Sequence, residues 1–140
     1  DHGIEFTVLA LPTVYGPRQP MNNNVVSAFM AARASLNEPT IFGDGKQTRD
    51  FLFVDDAADA ASRACAKGGG LVLHIGTGQQ TSIKDLWQVI GQGLASTTAV
   101  KPAHSLQRFA LSASRARLHL GWSSWTTLVD GLDRMSPEQN

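Results

Sequence analysis

Apolar positions fall into short unbroken runs that alternate with stretches at helical spacing. Ile4 to Leu11 is nearly all apolar or β-forming and stops at Pro12, which predicts a buried strand. Pro12 to Asn24 holds three prolines, one glycine and three consecutive asparagines, a composition that predicts a loop leading to a helix N-terminus. Val26, Phe29, Met30, Arg33 and Leu36 then recur with a helical period, and Pro39 ends this amphipathic helix. Ile41-Phe42 runs into a turn at Gly43-Asp44-Gly45, and Phe51 to Val54 is a second β-prone run. Asp55 and Asp56 are placed to cap a helix and meet its positive end. Within that helix Ala58, Ala61, Ala64 and Cys65 form a small-residue stripe for close packing on a sheet, terminated by Gly68-Gly69-Gly70.

Leu71 to Ile75 predicts another buried strand and Gly76-Thr77-Gly78 a turn. Ser82 to Leu94 predicts a helix whose core face is Ile83, Leu86, Trp87, Ile90 and Leu94, capped by Ser82 with Asp85 three residues on. Beyond Ala95 the pattern gives a short strand near Val100, a loop from Pro102 to Ser105, helices over Ser114 to Leu120 and Thr127 to Met135, and a polar tail from Ser136 to Asn140. Strands alternating with helices define an α/β class. Only two strand signals are long enough to be fully buried, too few for a complete doubly wound sheet.

Composition narrows the function classes. The chain has 140 residues, the size of one domain, and its 12 Lys plus Arg balance 12 Asp plus Glu, which argues against a polybasic nucleic-acid binder or a charged membrane-surface helix. With 42% hydrophobic and 17% charged residues it is not a disordered chain. The single Cys65 forms no internal disulfide, so a reducing, cytoplasmic setting is expected. No apolar run reaches the roughly 18 residues of a membrane span, and Asp1-His2-Gly3 does not resemble a signal peptide.

Gly43-x-Gly45 and Gly76-x-Gly78 are partial matches to phosphate loops, but neither continues into a dinucleotide fingerprint, and both are expected to be plain turns. Arg49, between a glycine turn and a strand, could grip phosphate oxygens with its guanidinium fork; the competing reading is a surface ion pair with Asp50 or Asp55. Tyr15 has Gln19, not lysine, four residues on, so it is expected to pack or donate one hydrogen bond rather than act as an acid or base. His2, His74, His104 and His119 show no metal-ligand spacing, and no metal site is expected. Ser105, Ser112 and Ser114 near His104 lack a nucleophile turn, while Trp122 and Trp125 around Ser123-Ser124 suit core packing or a protein contact.

Four blocks then line up in order: Leu11-Pro12-Thr13-Val14-Tyr15-Gly16-Pro17-Arg18-Gln19; Ile41 through the Gly-Asp-Gly-Lys-Gln-Thr-Arg-Asp run to Asp56; His74-Ile75-Gly76-Thr77-Gly78; and Ser114-Arg115-Ala116-Arg117 with Leu120-Gly121-Trp122. Together they resemble the NAD-dependent epimerase/dehydratase family, extended short-chain dehydrogenase-like enzymes that act on nucleotide sugars. The resemblance covers essentially the whole chain. It implies the C-terminal half of that fold: part of a parallel Rossmann-type sheet plus a small α/β substrate lobe, one incomplete unit over residues 1–140. Family members are roughly twice as long, as two-lobed enzymes are, and their first half carries the glycine fingerprint and the Tyr-x-x-x-Lys pair, neither of which occurs in this sequence.

By resemblance Arg49 matches the arginine that grips the nucleotide diphosphate, Asn24 and Val25 the substrate contacts at a helix start, and Phe42 the lining of the base pocket. Arg108 lies near a second phosphate-reaching arginine. Tyr15, Gly16 and Pro17 match the loop near the nicotinamide. Ala10, Thr13, His74, Ser105 and Ser112 stand where the family commonly has other residues: arginine, asparagine, asparagine, aspartate and aspartate. The resemblance thus implies a chain that binds a nucleotide-diphosphate sugar, carries no catalytic residue and no NAD(P) of its own, and is inactive alone. A non-catalytic nucleotide-sugar-binding or subunit-pairing domain is the alternative, and a purely structural element that binds no nucleotide a third. Half a parallel sheet leaves an edge and an apolar face open, so self-association or a complementary N-terminal half is expected as partner.

Overall fold

The computed structural model describes residues 3–20, 24–67, 69–100 and 106–135. Expectations for His2, His104, Ser105, Gly68 and the tail from Ser136 lie outside these residues. Strand β1 (Thr7–Ala10) is followed by β2 (Thr13–Tyr15), helix α1 (Val25–Ala34), β3 (Thr40–Phe42), β4 (Thr48–Arg49), β5 (Phe51–Phe53) and α2 (Val54–Lys67). The chain continues through β6 (Leu71–His74), β7 (Thr81–Ser82), α3 (Ile83–Gly91), β8 (Thr97–Ala99), α4 (Ser114–Leu120) and α5 (Leu128–Asp133). The strands pair two by two, β1 with β6, β2 with β5 and β3 with β8 in parallel, and β4 with β7 antiparallel.

Two cores result. In one, α3 lays Ile83, Leu86, Trp87 and Ile90 against Val26 and Phe29 of α1, with the Phe29 and Trp87 rings edge to face at 5.2 Å. Burial of each such side chain stabilises the fold by about 1.5–3 kcal/mol. Leu94 lies beyond the end of α3 but still packs here, and its carbonyl accepts the Trp87 indole N–H at 3.0 Å. In the second core α2 and α4 cover one face of β1 and β6 through Ala60, Ala116, Leu120, Leu73 and Trp122. Asn24 caps α1 in a reciprocal box with Ser27, and Ser82 caps α3 by accepting from the Asp85 N–H.

Several sequence expectations are corrected. The run from Ile4 is not a buried strand: β1 is only four residues long, and Ile4, Phe6 and Val8 are 78%, 67% and 45% exposed. Period-two geometry sends Val8 and its partner Val72 to the same open face, while Leu9 and Leu73 face the helices. The packing stripe of α2 is Ala57, Ala60 and Ala64 in phase with Asp56; Ala58, Ala61 and Cys65 are exposed. A buried carboxylate at Asp56 sets that phase, which an apolar pattern alone misses. Leu36 lies past α1 with a left-handed backbone and is exposed. Thr13–Tyr15, expected as loop, is a strand because its partner Phe51–Phe53 is nearly forty residues away. Val100 is exposed just beyond β8.

Candidate substrate cavity

The site is assembled at the junction of β2, α1, β3 and β4. Asn24 donates from Nδ2 to the Val14 carbonyl at 3.0 Å while its Oδ1 accepts the Val26 and Ser27 N–H groups, so one side chain ties the β2 loop to the start of α1. A cavity of about 450 Å³ opens beside it, lined by Asn24 and Val25, by Phe42 at the end of β3, by Arg49 of β4, and by Thr13, Gln47 and Ile83. Four of the five expected substrate residues are therefore brought together. Arg108 is not among the lining residues; it is exposed on the neighbouring segment, which runs beside β4 through the Thr48 N–H to Gln107 carbonyl bond of 2.9 Å.

Arg49 forms neither of the ion pairs that sequence left open. Its Nη1 donates to the carbonyls of Thr48 at 2.7 Å and Leu106 at 3.1 Å. Asp55 pairs instead with Arg134 at 3.6 Å, and the Asp50 carboxylate is fully buried and accepts from Thr77 N, Thr77 Oγ1, Gly78 N and Leu111 N at 2.5–3.2 Å. The guanidinium is steered by neutral carbonyls at the rim of the cavity and has no carboxylate partner among the described residues. Anions are the complementary ligand chemistry.

Gln47 escaped the sequence reading. It is buried, donates from Nε2 to the Phe42 carbonyl at 2.9 Å, and leaves Oε1 buried without a partner among the described residues. Its position two residues before Arg49, just ahead of β4, was the available signal.

Tyr15 is 1% exposed, packs edge to face on Phe53 at 5.6 Å, and donates to the Leu128 carbonyl at 3.3 Å. Packing with one hydrogen bond is what the missing lysine predicted. Burial, reinforced by the negative charge of Asp56, pushes its phenol well above the ordinary range, so it stays protonated at neutral pH. Gly16 is buried against Val54, and Pro17 is half-buried beside it. With the Tyr15 ring sealed, and with Gly76-Thr77-Gly78 folded onto Asp50 rather than open to a phosphate, these described residues do not by themselves fit a dinucleotide. Among the described residues no three His, Cys, Asp or Glu side chains gather to hold a metal ion, and no helix is long and apolar enough to cross a membrane.

Comparison with known proteins decides the family. The model of the NAD dependent epimerase/dehydratase family matches residues 1–76, more than half of the chain. The chain belongs to this family. A UDP-glucose 4-epimerase of Mycolicibacterium smegmatis is 36% identical over 138 residues, covering 94% of this chain and 44% of the relative. The structure of UDP-glucose 4-epimerase from Thermotoga maritima, solved with UDP-glucose, superposes with a TM-score of 0.92 at 31% identity, over 96% of this chain and 46% of that one. UDP-glucuronic acid 4-epimerase from Bacillus cereus, solved with UDP-glucuronic acid and NAD, gives 0.84 at 30% identity, over 94% and 44%. The chain spans about half the length of the relatives it matches. Its fold is accordingly a half of the extended short-chain dehydrogenase architecture, and the parallel β1–β6 pair belongs to the Rossmann-type sheet of that family.

Proposed function

We propose that this chain is the substrate-binding portion of an NAD-dependent nucleotide-sugar epimerase or dehydratase, the C-terminal half of the enzyme, holding a nucleoside-diphosphate sugar in the cavity beside Arg49. The observation that carries this reading is the convergence of Asn24, Val25, Phe42 and Arg49 on one cavity of about 450 Å³ whose cation has no carboxylate partner among the described residues. Two diphosphate oxygens would replace solvent around the guanidinium fork, each charge-assisted bond contributing about 1.5–3 kcal/mol. Arg108 lies outside the lining of this cavity, exposed on the segment adjacent to β4.

Redox and proton transfer lie beyond these residues: the Tyr15 ring is sealed, its hydroxyl bonded to the Leu128 carbonyl and its phenol held well above the ordinary range. When NAD is bound in the complete enzyme it supplies the hydride chemistry. This chain supplies grip on the diphosphate and enclosure of the sugar, and is inactive alone. The open face of Ile4, Phe6, Val8 and Val72 favours a second element of the proposal: that this face is covered by a complementary N-terminal half or, failing that, by another copy. The same face supports the alternative of a non-catalytic subunit-pairing domain that still binds the nucleotide sugar. A calorimetric titration tests the reading. UDP-glucose and UDP are expected to bind with similar enthalpy while free glucose does not register at the same site; the absence of heat with either nucleotide overturns it.

A further inference from the structure

Trp122 and Trp125 lie three residues apart and meet opposite fates. Trp122 is 1% exposed and donates its indole N–H to the Asp56 carbonyl, whereas Trp125 is 53% exposed. We propose that the groove beside Trp125 binds a neutral saccharide.

The first support is rigidity. The buried Asp56 carboxylate accepts the N–H of Trp125 at 3.0 Å and the N–H and hydroxyl of Thr126 at 3.1 and 2.7 Å, so the backbone under the exposed indole is pinned to α2. Thr127 then caps α5 through the Asp130 N–H. A ring mounted on such a segment presents its face to a ligand with little further ordering cost.

The second is the chemistry of the lining. A cavity of about 380 Å³ lies against Phe51, Trp125 and Leu128 and is otherwise walled by hydroxyl and amide side chains, among them Gln79, Thr81 and Ser124. No lining residue is ionisable. The side chains of Gln79, Thr81 and Ser124 hold no hydrogen bond among the described residues, and so present neutral donors and acceptors around an aromatic face. A pyranose ring matches both features: its C–H face stacks on an indole, and its hydroxyls bond to neutral partners. A phosphorylated or carboxylated ligand finds no cation in this lining. The groove shares no lining residue with the cavity at Arg49, so the proposal stands independently of the one above.

The test uses the protein with maltohexaose, cellohexaose and chitin hexasaccharide, following the Trp125 indole N–H resonance and the heat of binding. At least one of the three is expected to give a saturable shift. Trp125→Ala should weaken that affinity by about tenfold or more, as truncating an aromatic anchor does, and Trp125→Phe should retain part of it. Thr81→Val should weaken it, and Arg49→Ala should leave it unchanged. No saturable shift with any of the three sugars overturns the proposal, as does an affinity that survives Trp125→Ala. Binding of UDP-glucose lost in Arg49→Ala while saccharide binding persists would separate this groove from the nucleotide cavity; joint loss of both would merge them and overturn it.

Discussion

Arg49 and Asp50 are neighbours in the chain and serve opposite sides of it. The guanidinium of Arg49 leans on the carbonyls of Thr48 and Leu106 at the rim of the candidate substrate cavity, while the carboxylate of Asp50 turns inward to Thr77, Gly78 and Leu111. One side chain lines the cavity and the other fastens the frame that holds it. Gly76 is required by the same arrangement, because a Cβ there would come within 2.6 Å of the Asp50 carboxylate. The two halves of this relationship can be separated by mutation.

Arg49→Ala should weaken the UDP-sugar binding proposed above by about a hundredfold or more in affinity if two charge-assisted bonds are lost. Arg49→Lys should restore only part of it, since an ammonium keeps the charge but not the fork. Urea unfolding of both variants should shift little, because the carbonyls of Thr48 and Leu106 regain water when the guanidinium is removed. Unchanged affinity in a calorimetric titration would leave Arg49 a structural residue only.

Asp50→Ala should do the reverse. Three backbone N–H groups and one hydroxyl lose a buried charged acceptor, and leaving such donors unsatisfied costs about 1–3 kcal/mol each before relaxation. A net loss of about 3 kcal/mol or more is expected in the urea midpoint, with Asp50→Asn intermediate because one amide oxygen can still accept. A change within about 0.5 kcal/mol, the range of ordinary surface substitutions, would mean that the latch is dispensable.

These two residues also show what could be read in advance. The resemblance to the family singled out Arg49, Asn24, Val25 and Phe42, and the structure places these four around one cavity. What the linear pattern concealed was the fate of the acids. Asp50 and Asp56 look like exposed capping or pairing residues in a sequence, yet each is fully buried and satisfied by partners up to seventy residues away. Burial of a carboxylate depends on donors brought in by tertiary folding, which no local period reports. The same non-locality hid β2, whose three residues are extended only because Phe51–Phe53 lies alongside. The error at β1 has a different origin: its apolar residues were read as buried on both faces, whereas α2 and α4 cover only one.

The open face has a testable consequence. Val8 and Val72 sit side by side on it, with the exposed Phe6 and Ile4 just ahead of β1 in the chain. If this surface is covered by a partner or a second copy, sizing with light scattering should find the chain as a dimer or larger, and the pair Phe6→Ser with Val8→Lys should shift it toward monomer. A monomer at all concentrations in the parent chain would show that the face tolerates water.

Tyr15 provides a pH probe because it is the only tyrosine. Its phenol is raised by burial first and by Asp56 second, against an ordinary value of 10.0. The folded state therefore holds this proton more tightly than the unfolded chain does. The sign follows: its contribution to stability is complete below about pH 10, the unfolded value, and is lost as pH rises toward the folded value. Phenolate absorbance should accordingly lag in the native protein and emerge together with the loss of tertiary circular dichroism, rather than as an independent titration near pH 10. A phenolate that titrates freely in the folded chain would contradict the sealed position of the ring. Tyr15→Phe should remove this alkaline sensitivity at a cost of about 1 kcal/mol for the lost bond to Leu128. Gly131→Ala should be more damaging, because its added methyl would fall on the Tyr15 hydroxyl and displace α5 from β5.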